Sequence, residues 1–435
     1  MALLLLQLNE INFDQVRAYV QLGELPVLGR LIAAHGVTET TSEKHYEELE
    51  PWIQWVTAHT GMTLSEHRVF RLGDIVQRDL PQIWEVLESQ GLKVGAISPM
   101  NAKNRCRNPA FFVPDPWTPT DLTGSSMMKK LYGAVAQAVN DNAQSRLTPS
   151  SAAWLLAGLG AYARPQNYIR YGSFVLGAAR RRPWMKALLL DQLLADIFIR
   201  QVKRTKPDFA SLFLNAGAHI QHHYMFNSKV YAGPRANPEW YAPKHIDPIL
   251  EVYRLYDQIV GQVERAFPGY RLMLATGLHQ DAHSDVTFYW RLKDHAAFLR
   301  KADVPFKFVE PRMSRDFIVY CVDEAQAAHA EQRLAGIKTS DGTPLFMVDN
   351  RGADLFVTLA WSHDIGADLE YGIDNATMRR LRDDVVFVAI KNGEHNGAGY
   401  MLDTGLLASA APPRMRLCEM PERIAAACGA GWVRS

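Results

Sequence analysis

The chain has 435 residues, which is enough for one large α/β domain with an insertion or for two domains. Its composition, 48% hydrophobic and 21% charged residues, is typical of a globular protein and excludes a disordered one. A formal net charge of +1 gives no bulk electrostatic argument for nucleic-acid binding.

The N-terminal segment is apolar, but it lacks the basic residues and the length of a secretory signal, so we interpret it as a buried strand. No run reaches membrane length, and the apolar segment 187–199 is interrupted by Asp191 and Asp196. The four cysteines are far apart and form no CxxC pair, which favours unpaired thiols in a reducing compartment. We therefore expect a cytoplasmic protein without a membrane span.

Hydrophobic patterning predicts alternating strands and helices in the first hundred residues and again after about residue 205. The predicted strands are 2–8, 37–41, 93–98, 209–214, 271–276, 317–322, 345–348, 355–360 and 385–390. The predicted helices of these parts are 14–19, 26–34, 51–61, 80–90 and 246–266. This rhythm is typical of an α/β fold with a mostly parallel central sheet and helices on both faces.

Residues 105–204 depart from this rhythm. Three segments rich in alanine and leucine (127–139, 150–160 and 184–203) are predicted to be helical, with no convincing strand between them. We interpret 105–204 as a helical insertion or cap on a core formed by 1–104 and 205–435, with a smaller sheet at about 290–380. The arginines 180–182 are typical of a solvated face, although an anionic substrate is an alternative.

Histidines follow the predicted strand 209–214. This strand ends at Asn215, and His219, His222 and His223 come next. Ligands of α/β proteins bind at the carboxyl ends of strands, and two histidines three residues apart on a helix can bind one metal ion. The alternative is a polar helix start whose histidines cap or pack.

Other predicted strands end in residues of the same kind, since Asn9 and Glu10 follow the first strand and His279, His283 and His395 follow later ones. If these ends converge, they form a metal site. The predicted metal ligands are Glu10, His219, His222, His279 and His395. The predicted substrate contacts are Asn9, Asn215, His223, His283 and Arg315. For Arg315, a surface salt bridge is the alternative role.

Several stretches resemble the alkaline phosphatase superfamily, in particular its type I phosphodiesterase/nucleotide pyrophosphatase branch. The opening Leu-Asn-Glu-Ile-Asn-Phe-Asp and Gly-Glu-Leu-Pro-Val-Leu-Gly-Arg-Leu resemble its first strand and following helix. The further matches are Trp55–Gly61 with the end of its nucleophile helix, Gln82–Ser98 with its next helix and strand, Asn215–Tyr224 with "DxxGHxxHxYw", Leu274–His279 with "SDHG" and Gly393–Tyr400 with its late histidine. The resemblance covers the first hundred residues, about 205–285 and about 385–405.

The resemblance implies two divalent metal ions, often zinc, and a Thr or Ser nucleophile that forms a covalent phospho-enzyme. The sequence departs from this pattern at the carboxylates, because Asn9 and Asn215 stand where the family has aspartate and the "SDHG" pair falls on Gly277 and Leu278. Pro51 occupies the nucleophile position. Fewer carboxylates favour a single ion, zinc or alternatively manganese, over a full two-metal site.

Without that nucleophile, a metal-activated water is the predicted attacking group. Glu50 or Glu48 is the candidate general base, although Glu50 could instead cap the following helix. Gln54 or Thr57 would occupy the nucleophile position if the helix start were shortened, and His59 is a further candidate with core packing as its alternative.

These observations lead to a hypothesis with two alternatives. The chain is predicted to be a divergent metal-dependent hydrolase or transferase that acts on a small-molecule or glycan phosphate ester or phosphodiester. One alternative is a catalytically inactive binding protein with the same fold. The other is a fold diverted to non-phosphate transfer chemistry in polysaccharide assembly, with the helical block as a lid. The sequence predicts no oligomeric state.

Overall fold

A computed structural model describes residues 2–43, 45–140, 148–312, 315–373 and 379–432. The strands are β1 (Leu3–Leu8), β2 (Thr38–Thr41), β3 (Val94–Ile97), β4 (Phe111–Val113), β5 (Phe209–Leu214), β6 (Arg271–Ala275), β7 (His279–Leu292), β8 (Phe308–Pro311), β9 (Asp316–Tyr320), β10 (Ile337–Thr339), β11 (Phe346–Asn350), β12 (Asp354–Leu359), β13 (Glu370–Ile373), β14 (Arg379–Arg380), β15 (Val385–Asn396), β16 (Ala398–Asp403) and β17 (Arg414–Arg416).

The helices are α1 (Phe13–Gln21), α2 (Pro26–His35), α3 (Pro51–Thr60), α4 (Leu64–His67), α5 (Ile83–Ser89), α6 (Ser126–Asn140), α7 (Pro149–Tyr162), α8 (Tyr168–Ala179), α9 (Met185–Thr205), α10 (Ala216–Tyr224), α11 (Pro248–Ala266), α12 (His295–Lys301), α13 (Glu324–Ala335), α14 (Leu381–Asp384) and α15 (Met420–Ala427).

The central sheet has eight strands in the order β17-β2-β16-β6-β1-β5-β3-β4. β1 pairs in parallel with β5 on one side and with β6 on the other, and the β3–β5, β3–β4 and β17–β2 pairs are also parallel. Only β16, between β2 and β6, runs antiparallel to its neighbours in this sheet. The predicted α/β fold with a mostly parallel sheet is therefore confirmed.

Both faces of the central sheet are buried, as the side-chain alternation along β1 shows. Leu4, Leu6 and Leu8 belong to one hydrophobic core cluster, and Leu3 and Leu5 belong to the other. A strand that is buried at every position and apolar at all but one, Gln7, is typical of a parallel sheet covered by helices on each face. The apolar opening of the sequence is thus explained by its central position in the sheet.

The predicted helical block is present as α6, α7, α8 and α9. The polar residues that interrupt its apolar pattern are buried and have partners: Asp196 accepts hydrogen bonds from Asn167 Nδ2, from Tyr171 and from the backbone N–H of Arg164. The segment 105–204 also contains β4, a three-residue strand at the edge of the central sheet, which the hydrophobic pattern did not predict because it is so short.

The chain divides into two compact units. The larger contains 1–234, 238–282 and 393–435, and so includes both the central sheet and the helical block. The smaller contains 235–237 and 283–392, with a four-stranded antiparallel sheet (β11-β12-β9-β8) and a three-stranded one (β10-β13-β14). The smaller sheet subdomain of the predicted fold is confirmed and contains two small sheets, whereas its bounds at about 290–380 and the domain boundaries at 104 and 205 stay predictions. Among the described helices, none combines the length and apolarity that crossing a membrane requires.

Candidate metal centre

The candidate site begins where β1 ends, in the middle of the central sheet. The backbone N–H groups of Asn9 and Glu10 donate to Leu214 O and Thr276 O, each at 3.1 Å, and so bind the ends of β5 and β6. Glu10 has a φ of 60°, a left-handed conformation that costs a non-glycine residue about 1–2 kcal/mol. The backbone therefore holds the Glu10 side chain in a fixed position at the carboxyl edge of the sheet.

Two histidines from distant segments contact Glu10. His222 is on α10, the helix that follows β5, and its Nε2 lies 3.2 Å from Glu10 Oε2. His395 lies near the end of β15, and its Nε2 is also 3.2 Å from Glu10 Oε2. Because β16 runs antiparallel to β6, the segment that enters β16 comes to the edge where β1, β5 and β6 end.

These three side chains have the composition and spacing of a metal site. One ligand atom from each lies within 4.8 Å of the others, and the part of the chain that the structure describes contains no second such group of His, Cys, Asp and Glu. Donor atoms that bind one zinc ion tetrahedrally lie ~3.3 Å apart. Two imidazoles and a carboxylate at the observed 3.2 Å separations from Glu10 therefore fit a divalent ion of the zinc class.

The burial of the Glu10 carboxylate also favours a cation beside it. Its side chain is buried, with 1% of the residue surface exposed. Burial alone raises the pKa of the Glu10 carboxyl, but His395 and His222 outweigh this and hold the pKa well below its usual range. A buried carboxylate is stable beside a cation or several donors, and a metal ion bound between Glu10 and the two histidines would supply such a cation.

Amide side chains fix the orientation of Glu10. Asn9 Nδ2 donates to Glu10 Oε1 at 2.9 Å, and Gln280 Nε2 donates to Glu10 Oε2. Gln221, one residue before His222, donates from Nε2 to the backbone oxygen of Glu10 at 2.7 Å. A Cβ on Gly393 would overlap Gln280 Oε1, so glycine is required where the chain approaches this amide. The carboxylate is thus held without any further charge.

Glu50 lies on the other side of the His395 ring. Its Oε2 is 3.9 Å from His395 Nδ1, within ion-pair range, while His395 Nε2 is directed to Glu10. Glu50 is the N-cap residue of α3, the position that the capping alternative gave it, but its side chain makes no capping hydrogen bond. A carboxylate beside the second nitrogen of a metal-binding histidine typically fixes the ring and its tautomer.

The positions that lack the family's carboxylates form an uncharged cluster next to Glu10. Trp55 Nε1 donates to Asn9 Oδ1 at 2.7 Å, and Asn9 Nδ2 donates to Asn215 Oδ1 at 2.8 Å. Gly277 faces the same indole, since a Cβ there would lie 3.0 Å from a Trp55 ring atom. In this neutral cluster, Asn9, Asn215 and Gly277 stand at positions where the resemblance expects further metal ligands, and Trp55 packs against them.

The structure brings together three of the five predicted metal ligands. His279 is buried, and its two ring nitrogens lie 2.6 Å from Ala398 O and 3.2 Å from Asp281 Oδ1, so it links β7 to the start of β16. His219 is exposed on α10, with its ring centroid 5.0 Å from that of His223. Neither His279 nor His219 lies in the group formed by Glu10 and its two histidines.

The remaining catalytic candidates lie on α3, and each has one polar atom in contact with a partner inside the fold. Gln54 Nε2 donates to Glu48 O at 2.9 Å, and Thr57 Oγ1 lies 3.2 Å from His67 Nε2. His59 is fully buried, and its Nε2 accepts from Gln7 Nε2 at 2.7 Å. Burial lowers the pKa of His59 to about 3, so it is neutral at physiological pH.

Two predicted substrate contacts belong to the smaller unit. His283 Nδ1 lies 2.7 Å from Asp285 O, and the Arg315 guanidinium lies 4.6 Å from the centroid of the Tyr289 ring. The predicted roles of His283 and Arg315 stay predictions, as does that of His223, whose ring centroid is 6.3 Å from that of His222.

Sequence reasoning missed Gln221, Gln280 and Trp55, although each lies beside a residue that it singled out or within the same motif. Histidines and carboxylates are recognisable ligands, whereas an amide that orients a carboxylate has no comparable pattern. Strand alternation supplies a signal for Gln280: His279 and Gln280 are consecutive in β7, so their side chains lie on opposite faces.

No family model and no curated protein matches the chain. Among solved structures, it is similar to phosphonoacetate hydrolase from Sinorhizobium meliloti 1021 in complex with phosphonoacetate, with a TM-score of 0.44 and 12% identity over 98% of this chain and 95% of that one. It is also similar to human ectonucleotide pyrophosphatase/phosphodiesterase 5, with a TM-score of 0.45 and 10% identity over 100% and 97% of the two chains. The function must be inferred from the chain's own residues.

Proposed function

We propose that the chain is a metal-dependent hydrolase that binds one divalent ion through Glu10, His222 and His395 and acts on a phosphate ester or phosphodiester. The observation that carries the proposal is the meeting of these three side chains, from β1, α10 and β15, with ligand atoms within 4.8 Å of one another. Three protein ligands leave a coordination position open, as is typical of catalytic rather than structural zinc. The phosphate class of substrate rests on the motif resemblance.

The chain's own residues have distinct roles in this proposal. A divalent ion would supply a Lewis acid for phosphoryl oxygens and acidify water. Glu10 contributes the one negative charge among the ligands, and Asn9 and Gln280 hold it in place. Glu50 orients His395 and is the candidate to accept a proton from the attacking water.

A single ion is favoured over two by the neutral cluster next to Glu10. Two dications close together need several carboxylates to offset their charge. The neighbouring side chains of Asn9 and Asn215 are amides bonded to each other, and Trp55 donates to Asn9. Amides offer weaker ligands than carboxylates, and here their oxygens already accept hydrogen bonds.

The test is metal content and phosphodiesterase activity of the purified chain and of single variants. The wild-type chain is expected to bind about one equivalent of zinc or manganese, and His222→Ala or His395→Ala to lose the metal and at least ~100-fold in activity on bis(p-nitrophenyl) phosphate. His219→Ala, on the same helix but outside the group, is the matched control and should retain both. Equal metal content in all four proteins would refute the proposed ligands.

A binding protein without catalysis is the second candidate. It is favoured by Thr57, the hydroxyl residue of α3 nearest the expected nucleophile position, because its Oγ1 lies 3.2 Å from the buried His67 Nε2. This candidate predicts one bound ion that depends on His222 and His395, together with no turnover of phosphomonoesters or phosphodiesters. Measurable turnover that is lost in His395→Ala would exclude it.

A further inference from the structure

The charge of the helical block differs sharply from that of the rest of the chain. Residues 122–190 contain nine lysines and arginines but a single acidic residue, Asp141, which lies outside the described residues. The nine basic residues are Lys129, Lys130, Arg146, Arg164, Arg170, Arg180, Arg181, Arg182 and Lys186. The segment therefore has a net charge of +8, whereas the whole chain has +1 and the remainder consequently −7.

Helix α8 presents apolar side chains to solvent. Tyr171 and Phe174 face the core. On the opposite side, Tyr168, Ile169, Val175 and Leu176 have exposed fractions of 55%, 92%, 56% and 49%. These exposed positions recur with helical spacing and therefore form one apolar stripe.

The preceding helix has the same character. Exposed positions of α7 include Ala153, Leu156, Ala157 and Gly160, at helical spacing, and Leu156 is 69% exposed. Five of the fourteen large hydrophobic residues exposed in the described chain lie on α7 and α8. An exposed apolar surface of this kind is typical of a docking site for a protein or a membrane.

Basic residues border these apolar stripes. Exposed Arg180 and Arg181 directly follow α8. On α6, Lys129 and Lys130 are exposed, and the Lys130 ammonium lies 4.3 Å from the centroid of the Trp154 ring, which places it against α7. Apolar side chains bordered by lysine and arginine are typical of helices that lie in the interface of an anionic bilayer.

We propose that α7 and α8, with the basic residues around them, dock the protein on a membrane surface that contains anionic phospholipids. The apolar stripes would enter the boundary between headgroups and acyl chains, while Lys129, Lys130, Arg180 and Arg181 would contact lipid phosphates. The association is peripheral, because no described helix is long and apolar enough to span a bilayer.

The charge argues against a second copy of this chain as the occupant. Symmetric contact through α7 and α8 would bring together the exposed basic residues around them, Lys129, Lys130, Arg180 and Arg181, from two copies. A bilayer with anionic headgroups instead offers an apolar interior to the exposed stripes and negative charges to the basic residues. The inference does not depend on the proposed hydrolase function.

The test is co-sedimentation of the full chain with vesicles of phosphatidylcholine, with and without about one third phosphatidylglycerol. Binding is expected to the anionic vesicles, to weaken with added salt, and to be much weaker with phosphatidylcholine alone. The double variant Ile169→Glu/Val175→Glu is expected to lower vesicle partitioning at least ~10-fold. Arg180→Gln/Arg181→Gln is expected to lower it by about fivefold for each arginine.

Matched controls separate docking from general surface effects. Leu22→Glu/Leu407→Glu changes two equally exposed apolar residues elsewhere in the larger unit, and Lys203→Gln/Lys206→Gln removes two exposed charges from the end of α9. Both should bind vesicles as the wild type does. Absence of vesicle binding would overturn the proposal, as would equal binding by all variants. A solution dimer disrupted by Ile169→Glu/Val175→Glu, without vesicle binding, would assign the surface to a second copy.

Discussion

The carboxyl end of β1 has a charged side and an uncharged side, and consecutive residues divide them. Glu10 faces His222 and His395, each at 3.2 Å, whereas Asn9 faces Trp55 and Asn215 through hydrogen bonds of 2.7 and 2.8 Å. On the charged side, the carboxylate and imidazole atoms are close enough to bind one metal ion. On the uncharged side, the amide and indole groups form hydrogen bonds with one another. In the proposed function, this edge of the sheet would bind a single ion, and its uncharged side would not bind a second one.

The two sides are connected by Asn9. Its Nδ2 donates both to Glu10 Oε1 and to Asn215 Oδ1, while its Oδ1 accepts from Trp55. The uncharged side thus fixes the position of a buried carboxylate without adding charge. The comparison implies that changes to the uncharged side alter metal binding without removing a ligand.

The largest effect is expected for Trp55→Phe. The change leaves Asn9 Oδ1 without its indole donor and opens a cavity, which should lower the free energy of unfolding by about 3 kcal/mol. It should also weaken zinc binding at least ~10-fold, because the amide that orients Glu10 is no longer fixed by the indole. Urea unfolding and zinc titration measure the two effects.

Trp84→Phe is the matched control for this change. Trp84 is as fully buried as Trp55, and its Nε1 donates to Ser211 Oγ at 3.0 Å. A comparable loss of stability is expected, with unchanged zinc affinity. Equal zinc affinity in both variants would show that the uncharged side does not support Glu10.

Asn9→Asp should have the next largest effect. A carboxylate there would face Glu10 Oε1 in place of the amide that now donates at 2.9 Å. We therefore expect the free energy of unfolding to fall by about 2 kcal/mol. Asn215→Asp is the control. It should lower the free energy of unfolding by a smaller amount, because its side-chain oxygen can still accept a hydrogen bond from Asn9. Elemental analysis should find one ion in each protein, and a second ion in Asn9→Asp would break the distinction between the two sides.

On the charged side, Glu50→Gln should reduce turnover about 10-fold while the metal content stays unchanged. The reason is that Glu50 faces Nδ1 of His395 at 3.9 Å and is not a member of the metal group. Glu48→Gln, two residues earlier, is the control for the loss of a nearby charge. Loss of the ion in Glu50→Gln would instead make Glu50 a ligand.

The smallest effect is a loss of stability at acid pH, and it involves His67, which contacts the helix that carries Trp55. His67 contacts Thr57 of α3, and burial lowers the pKa of His67 from 6.5 to about 4. Its contribution is fully present above pH 6.5 and is lost as the pH falls toward 4, because the unfolded chain binds the proton more tightly. Between pH 7 and 5.5 the wild type should lose about 1 kcal/mol more stability than His67→Gln. Identical pH dependence of unfolding in the two proteins would contradict this assignment.

Much of the fold followed from the hydrophobic pattern, because buried parallel strands are continuous apolar runs. The predicted strand 209–214 coincides with β5, and the predicted strand 93–98 contains β3. Short or polar strands gave no such signal: β4 has three residues, and β7 begins with polar residues, His279, Gln280 and Asp281.

The candidate site was predictable only in part, for a geometric reason. The sequence showed which histidines follow strands, and Glu10, His222 and His395 do meet. It did not show which way each side chain points. His279 starts a strand and bonds across to Ala398, and His219 lies three residues before His222 on the exposed side of α10. Side-chain direction depends on secondary structure that the histidine spacing does not determine.

The charge separation between the helical block and the remainder has a consequence for handling the protein. A sequence pI near 7.8 describes an almost neutral particle, yet residues 122–190 have a charge of +8 and the remainder −7. The basic segment should therefore bind the molecule to cation-exchange resins at neutral pH more tightly than a net charge of +1 suggests. Moderate salt should release it.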